Sequence, residues 1–191
     1  SIFDEVMTGC RLAPGGAQER YQLKPDMTCL GKVVGGGMPL AVYGGRKEIM
    51  ECVAPLGAVY QAGTLSGNPL AVSAGLATLN ALTPDVYKRL EETSARLEDG
   101  LKRALSDAKV SGTLQRVGAM LTLFFHEGPV TSWEQASQCD KDRFSAWHRG
   151  MLAEGILWPP SQFEAAFISA AHDDVDVDRT VQAARKALQA L

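Results

Sequence analysis

Apolar positions recur along this chain with two different spacings. Over residues 85–108, Leu90, Leu97, Leu101 and Leu105 follow one another at intervals of seven, four and four, while Glu91, Glu92, Arg96, Glu98 and Lys102 lie off that stripe. This is the helical period, and it predicts a long amphipathic helix with its leucines facing a core. Before it, short apolar runs stand between stretches rich in glycine and proline. Residues 2–6 (Ile-Phe-Asp-Glu-Val) predict a buried strand ending in two carboxylates, residues 27–34 a strand that then leaves its sheet, and residues 40–44 a further short strand. Residues 17–23 and 47–53 read as short helices, the second with Ile49, Met50 and Val53 on one face. The alanine-rich stretch 69–82 predicts a closely packed helix, with Ser66 or Asn68 as its cap, Pro69 in its first turn and Thr83-Pro84 as its break.

Beyond the long helix, residues 112–117 and 119–125 predict two strands. Residues 137–154 predict a helix with Phe144, Trp147, Met151 and Leu152 inward, and residues 155–158 a strand stopped by Pro159-Pro160. Another strand is expected to begin at 167–169, and a last helix runs to Leu191, its acidic start at 173–178 suited to the helix dipole. Helices and strands together predict an α/β chain, with a domain boundary near Thr83 or within the long helix.

Composition narrows the function by exclusion. The net charge is −3, from 19 basic and 22 acidic residues with no basic block, which argues against nucleic acid or an anionic membrane as partner. No apolar run approaches the length of a bilayer span. Four cysteines (Cys10, Cys29, Cys52 and Cys139) form no C-x-x-C pair, and three histidines (His126, His148 and His172) share no ligand spacing, so no metal site is expected. Unpaired thiols of this kind suit a cytoplasmic protein.

The candidate chemistry lies in residues 28–40. Lys32 stands at the end of an apolar run and just before Gly35, Gly36 and Gly37. A lysine that bonds covalently to an aldehyde must be a neutral amine, which burial or a neighbouring cation favours. The glycines would let the backbone pass close to a ligand. Asp4, at the end of the first strand, is placed to pair with the ring nitrogen of pyridoxal phosphate and keep it protonated. On the residues alone, the plainer reading is Lys32 as a solvated loop lysine, since exposed lysine is the rule, and Asp4 as a strand-end cap. Gly35-Gly36-Gly37 does not fit G-x-G-x-x-G, which sets aside a dinucleotide fold.

Three separated stretches then agree. Asp4-Glu5-Val6-Met-Thr-Gly9-x-Arg11, Leu30-Gly-Lys32-Val-Val-Gly-Gly-Gly37-Met-Pro39 and Tyr60-Gln-Ala-Gly-Thr64-Leu-Ser-Gly-Asn-Pro69 resemble the class III pyridoxal-phosphate-dependent aminotransferases of fold type I. The resemblance covers essentially the whole chain and is narrowed by Gly15-Gly-Ala-Gln18 and Pro159-Pro-Ser-Gln-Phe-Glu-Ala165. It implies the C-terminal part of that fold: residues 1–83 as the end of a large, mainly parallel-sheet domain, and residues 84–191 as a linking helix with a small α/β domain. It implies that an N-terminal half with a phosphate loop and a lid precedes this stretch. The cofactor it implies is pyridoxal 5′-phosphate, working from its pyridoxamine phosphate form. Lys32 would be the covalent anchor and proton shuttle, Asp4 the partner of the ring nitrogen, and Val6 a contact on the ring. Gly63 and Thr64 would hold the cofactor phosphate of the facing subunit of a homodimer that shares its active sites, and Tyr60 would reach the same facing site. Thr64 reads equally as part of a loop before a helix cap. Glu164, held by a double proline among apolar neighbours, would face the small-molecule substrate or the lid, and reads equally as a helix-start charge. The implied activity is the intramolecular amino transfer that turns glutamate-1-semialdehyde into 5-aminolevulinate, a tetrapyrrole precursor. Two other readings stand beside it: an aminotransferase for an ω- or β-amino acid with a keto-acid acceptor, and a dimerising remnant with no activity.

Overall fold

Two parallel strands open the chain. In the computed structural model, which describes all 191 residues, β1 (Ile2–Glu5) lies parallel to β2 (Met27–Leu30), and β2 pairs antiparallel with β3 (Val42–Gly45). A parallel pair needs a crossover, which the loop after β1 and the short helix α1 (Gly16–Tyr21) provide. The register sets Asp4 beside Cys29 and Glu5 beside Leu30. β1 is not the buried strand expected: Ile2 is 67% exposed, and Glu5 is the strand's one buried residue. Within this chain β1 has a strand neighbour on one side only.

β2 also ends sooner than expected. It stops at Leu30, and Lys32–Gly35 form a 3-10 turn instead of continuing to Val34. Lys32 has φ +48, a left-handed conformation that no strand accommodates. After α2 (Lys47–Met50) and an exposed loop comes α3 (Pro69–Ala81). Asn68 is its cap, its side chain accepting the N–H groups of Leu70 at 3.0 Å and Ala71 at 3.2 Å, with Pro69 in the first turn as expected. Ala71 and Gly75 are the buried residues of α3, which packs on the Lys32–Gly35 turn.

The chain divides into two units, Ser1–Tyr87 and Lys88–Leu191. The second contains most of α4 (Pro84–Ala108), whose stripe residues Leu90, Leu97, Leu101 and Leu105 are all buried as the spacing predicted. β4 (Thr113–Val117) and β5 (Met120–Phe124) form an antiparallel hairpin, and the two-residue β6 (Ala166–Phe167) adds to β5. Leu121, Leu123, Met151, Leu188 and Trp147 close the core, the Trp147 ring lying 5.3 Å from that of Trp158 and 5.7 Å from that of Phe144. The last helix, α7 (Asp174–Gln189), begins with a capping box of Asp173 and Asp176.

Three expectations need correction in this unit. The helix expected over 137–154 is present as α6 (Lys141–Ala153) but starts four residues later, because Asp140 caps it by accepting the Arg143 N–H at 2.8 Å, and a separate short helix, α5 (Trp133–Ser137), precedes it. Leu152 is exposed, since it falls one position past the Phe144–Trp147–Met151 stripe. Residues 155–158 form no strand. Gly155, at φ +80, turns the chain out of α6, the Ile156 N–H returns to the Met151 carbonyl at 2.9 Å, and Pro159 and Pro160 have no N–H for a ladder.

Candidate cofactor site at the ends of the parallel strands

In a parallel sheet, ligands gather beyond the carboxyl ends of the strands. β1 and β2 end side by side, and Asp4, Val6 and Lys32 all leave from that edge. Asp4 is exposed, and its Oδ1 accepts the Val6 N–H at 3.0 Å, which folds the chain across the strand end. The Val6 side chain lies over Gly31, where an added Cβ would come 3.2 Å from Val6 Cγ1. Lys32 is the next residue. In the register Asp4 stands beside Cys29, and Lys32 lies two residues past the end of β2 at Leu30.

Lys32 is exposed within this chain, so the burial expected to favour a neutral amine does not come from these residues. The backbone is the informative feature. A non-glycine residue in the left-handed region costs about 1–2 kcal/mol, and such strain concentrates where geometry serves a ligand. The turn is held from behind. Gly36 has φ +57, and a Cβ there would run into the Ala74 carbonyl oxygen and lie 2.5 Å from Thr78 Oγ1. That corrects the expectation for the glycine run: Gly36 lets α3 come close, and only Gly37, with nothing within 4 Å, leaves open space.

The two carboxylates of the first strand part company. Glu5 is enclosed on the face opposite Asp4, accepting the N–H of Gln18 at 2.8 Å and of Ala17 at 2.9 Å together with the Thr8 hydroxyl. Burial pushes its pKa up, but these hydrogen bonds more than reverse that and hold it below the ordinary carboxylate value. Sequence reasoning missed this role of Glu5. Its donors stand 3, 12 and 13 positions further on, at Thr8, Ala17 and Gln18, a spacing with no regular period to find it by. Cys10, at φ +57, has its thiol pushed up by burial and then by the Glu5 charge, so it is no thiolate nucleophile.

The other candidates stand elsewhere. Tyr60 (84% exposed), Gly63 and Thr64 occupy the exposed loop before α3, where the Ser66 N–H returns to the Gly63 carbonyl at 3.0 Å. Glu164 belongs to the second unit. It is exposed rather than enclosed by apolar neighbours, because its turn faces a cavity of about 680 Å³ lined also by Trp158, His172 and Arg179. Its main chain is well held: its N–H donates to the Ser161 carbonyl at 3.1 Å and its carbonyl accepts from Thr122 Oγ1 at 3.2 Å. His148 and His172 serve the backbone, meeting the Trp158 carbonyl at 3.0 Å and the Ser169 N–H at 2.9 Å.

The aminotransferase class-III family matches residues 1–154. The chain belongs to this family. A glutamate-1-semialdehyde 2,1-aminomutase of Sorangium cellulosum is 65% identical over 190 residues, a match that covers 100% of this chain and 44% of that relative. Among solved structures, an omega-transaminase from Sphaerobacter thermophilus superposes with a TM-score of 0.87 at 29% identity, covering 98% of this chain and 43% of its own. A glutamate-1-semialdehyde aminomutase from Pseudomonas aeruginosa in complex with PMP gives a TM-score of 0.85 at 28% identity, covering 98% of this chain and 44% of its own. The chain thus spans less than half the length of the family members it matches. The two units have the α/β architecture of the corresponding part of those transaminases, as the sequence implied.

Proposed function

We propose that this chain is part of a glutamate-1-semialdehyde 2,1-aminomutase, which converts glutamate-1-semialdehyde to 5-aminolevulinate by moving an amino group within one substrate. The observation that carries the reading is the strained Lys32 turn at the same strand edge as Asp4 and Val6. The Sorangium relative supports the mutase over other members of the family. The residues fit pyridoxal phosphate: an amine, an exposed carboxylate and an apolar side chain emerge at one sheet edge, where a flat heterocycle can lie. When bound, that group supplies a protonated ring that accepts electrons from the reacting carbon.

The chain's residues divide the remaining work. The Lys32 amine would hold the cofactor and would serve as the base that carries a proton to and from the substrate carbon. Asp4 keeps a proton on the ring nitrogen, and Val6 packs on the ring. Gly63 and Thr64 bind the cofactor phosphate of the facing subunit in a homodimer with shared sites, Tyr60 reaches that same site, and Glu164 meets the substrate. A cytoplasmic location suits this chemistry. The test is the whole enzyme supplied with glutamate-1-semialdehyde and no second keto acid. The mutase makes 5-aminolevulinate, and Lys32→Ala lowers the rate by roughly 1000-fold or more. Product that appears only with an added keto acid would favour the alternative, an aminotransferase for an ω- or β-amino acid, which the resemblance to the Sphaerobacter omega-transaminase keeps in view.

A further inference from the structure

The first unit contains an enclosed carboxylate that the proposed chemistry does not use. Glu5 is 1% exposed, and its two oxygens meet three donors: the Gln18 and Ala17 N–H groups at 2.8 and 2.9 Å, and the Thr8 hydroxyl. The fit is tight, since Gly16 has φ +70 and a Cβ on it would come 2.5 Å from Glu5 Oε2. The main chain of Glu5 is equally committed: its carbonyl accepts the Gly9 N–H at 2.8 Å, and it pairs with Leu30 in the sheet. One residue therefore ties together the end of β1, the Thr8–Gly9 turn and the start of α1.

Asp4 precedes it in β1, and successive residues of a strand point to opposite faces. Fixing Glu5 inward therefore sets the direction of Asp4, whose Oδ1 in turn accepts the Val6 N–H at 3.0 Å. We propose that Glu5 is a positioning residue: its buried carboxylate locks the turn after β1 and so aims the Asp4 carboxylate at the cofactor's ring nitrogen. The inference rests on the role given to Asp4 above. The site requires acceptors only. Glutamine would keep one acceptor oxygen and set its NH2 against an N–H group, leaving a buried donor unpaired.

The test uses the whole enzyme loaded with cofactor whose ring nitrogen carries an isotope label, so that magnetic resonance reports whether that nitrogen is protonated. Asp4→Asn is expected to give the neutral signal. Glu5→Gln is expected to move the signal toward neutral in folded protein and to lower turnover roughly 10- to 100-fold, by analogy with the loss of groups that orient metal-ligating residues. Thr8→Val, which removes one donor, is expected to shift the signal in the same direction by less. A native signal in Glu5→Gln beside a neutral one in Asp4→Asn overturns the role of Glu5 alone. A protonated nitrogen in Asp4→Asn overturns the Asp4 reading itself. Should Glu5→Gln not fold, Thr8→Val decides: a partial shift supports the proposal and a native signal overturns it.

Discussion

The two units of the chain close their interiors by different means. Lys88–Leu191 buries Leu97, Leu101, Leu121, Leu123, Trp147, Met151 and Leu188 in one apolar core, whereas Ser1–Tyr87 buries only Leu12, Val34 and Ala71 among its apolar side chains. Within this chain the first unit leaves Ile2, Leu70 and Leu76 exposed, and its directed contacts include the donors around Glu5, the Asn68 cap and the bond from the Tyr87 hydroxyl to the Cys10 carbonyl at 2.8 Å. Apolar burial is non-directional, while hydrogen bonds fix direction. The contacts around Glu5, next to Asp4 in the chain, are of the directed kind.

The sharpest way to probe this contrast is Trp147→Ala. Trp147 is fully buried among aromatic rings, so a loss of about 3–5 kcal/mol is expected for the second unit, measured by urea unfolding. A loss below about 1 kcal/mol would break the claim that this core holds that unit. In the first unit the comparable change is Gly36→Ala, which forces a left-handed alanine and drives its Cβ toward the Ala74 carbonyl. A cost of about 2 kcal/mol or more is expected, the left-handed conformation alone accounting for about 1–2 kcal/mol. Cofactor affinity of the whole enzyme, read by absorbance titration, should fall with it as the Lys32 turn shifts.

A smaller effect links acid to both units. Glu98 is pushed up by burial, but Lys102 at 2.7 Å and Arg116 at 2.5 Å outweigh that and hold its pKa below the ordinary 4.5, as the surrounding donors do for Glu5. A carboxylate with a lowered folded-state pKa adds stability that is complete above its unfolded value and lost as pH falls through the folded one. Stability measured by denaturant titration should therefore decline as pH drops below about 4.5. Arg116→Met removes the guanidinium from Glu98 and from Glu91, its other partner at 2.8 Å. It should cost about 1–3 kcal/mol at neutral pH and flatten that decline.

Which features were legible follows from the same physics. The α4 stripe could be read because four leucines repeat with the helical period, and all four are buried. The Asn68–Pro69 start of α3 could be read because capping is local chemistry. What escaped depends on contacts distant in sequence or on single backbone angles. Residues 155–158 have strand-like side chains, yet Gly155 and the proline pair deny them a ladder. Nothing in the apolar run before Lys32 signals φ +48 there. Asp4 and Glu5 look alike as letters, and only folding shows that one faces out and the other accepts three donors from residues 8, 17 and 18. Lys32 and Asp4 could be proposed from their strand-end positions, whereas Val6, Tyr60, Gly63, Thr64 and Glu164 came from motif resemblance, because no local pattern marks them.

The central claim is that Lys32 bears the cofactor. Reducing the whole enzyme with borohydride to trap the cofactor–lysine linkage, then mapping peptides by mass spectrometry, addresses it directly. The account expects the pyridoxyl group on the peptide containing Lys32, with none on that peptide in the Lys32→Ala variant. A pyridoxyl group found on any other lysine of an active enzyme, with Lys32 unmodified, would contradict it.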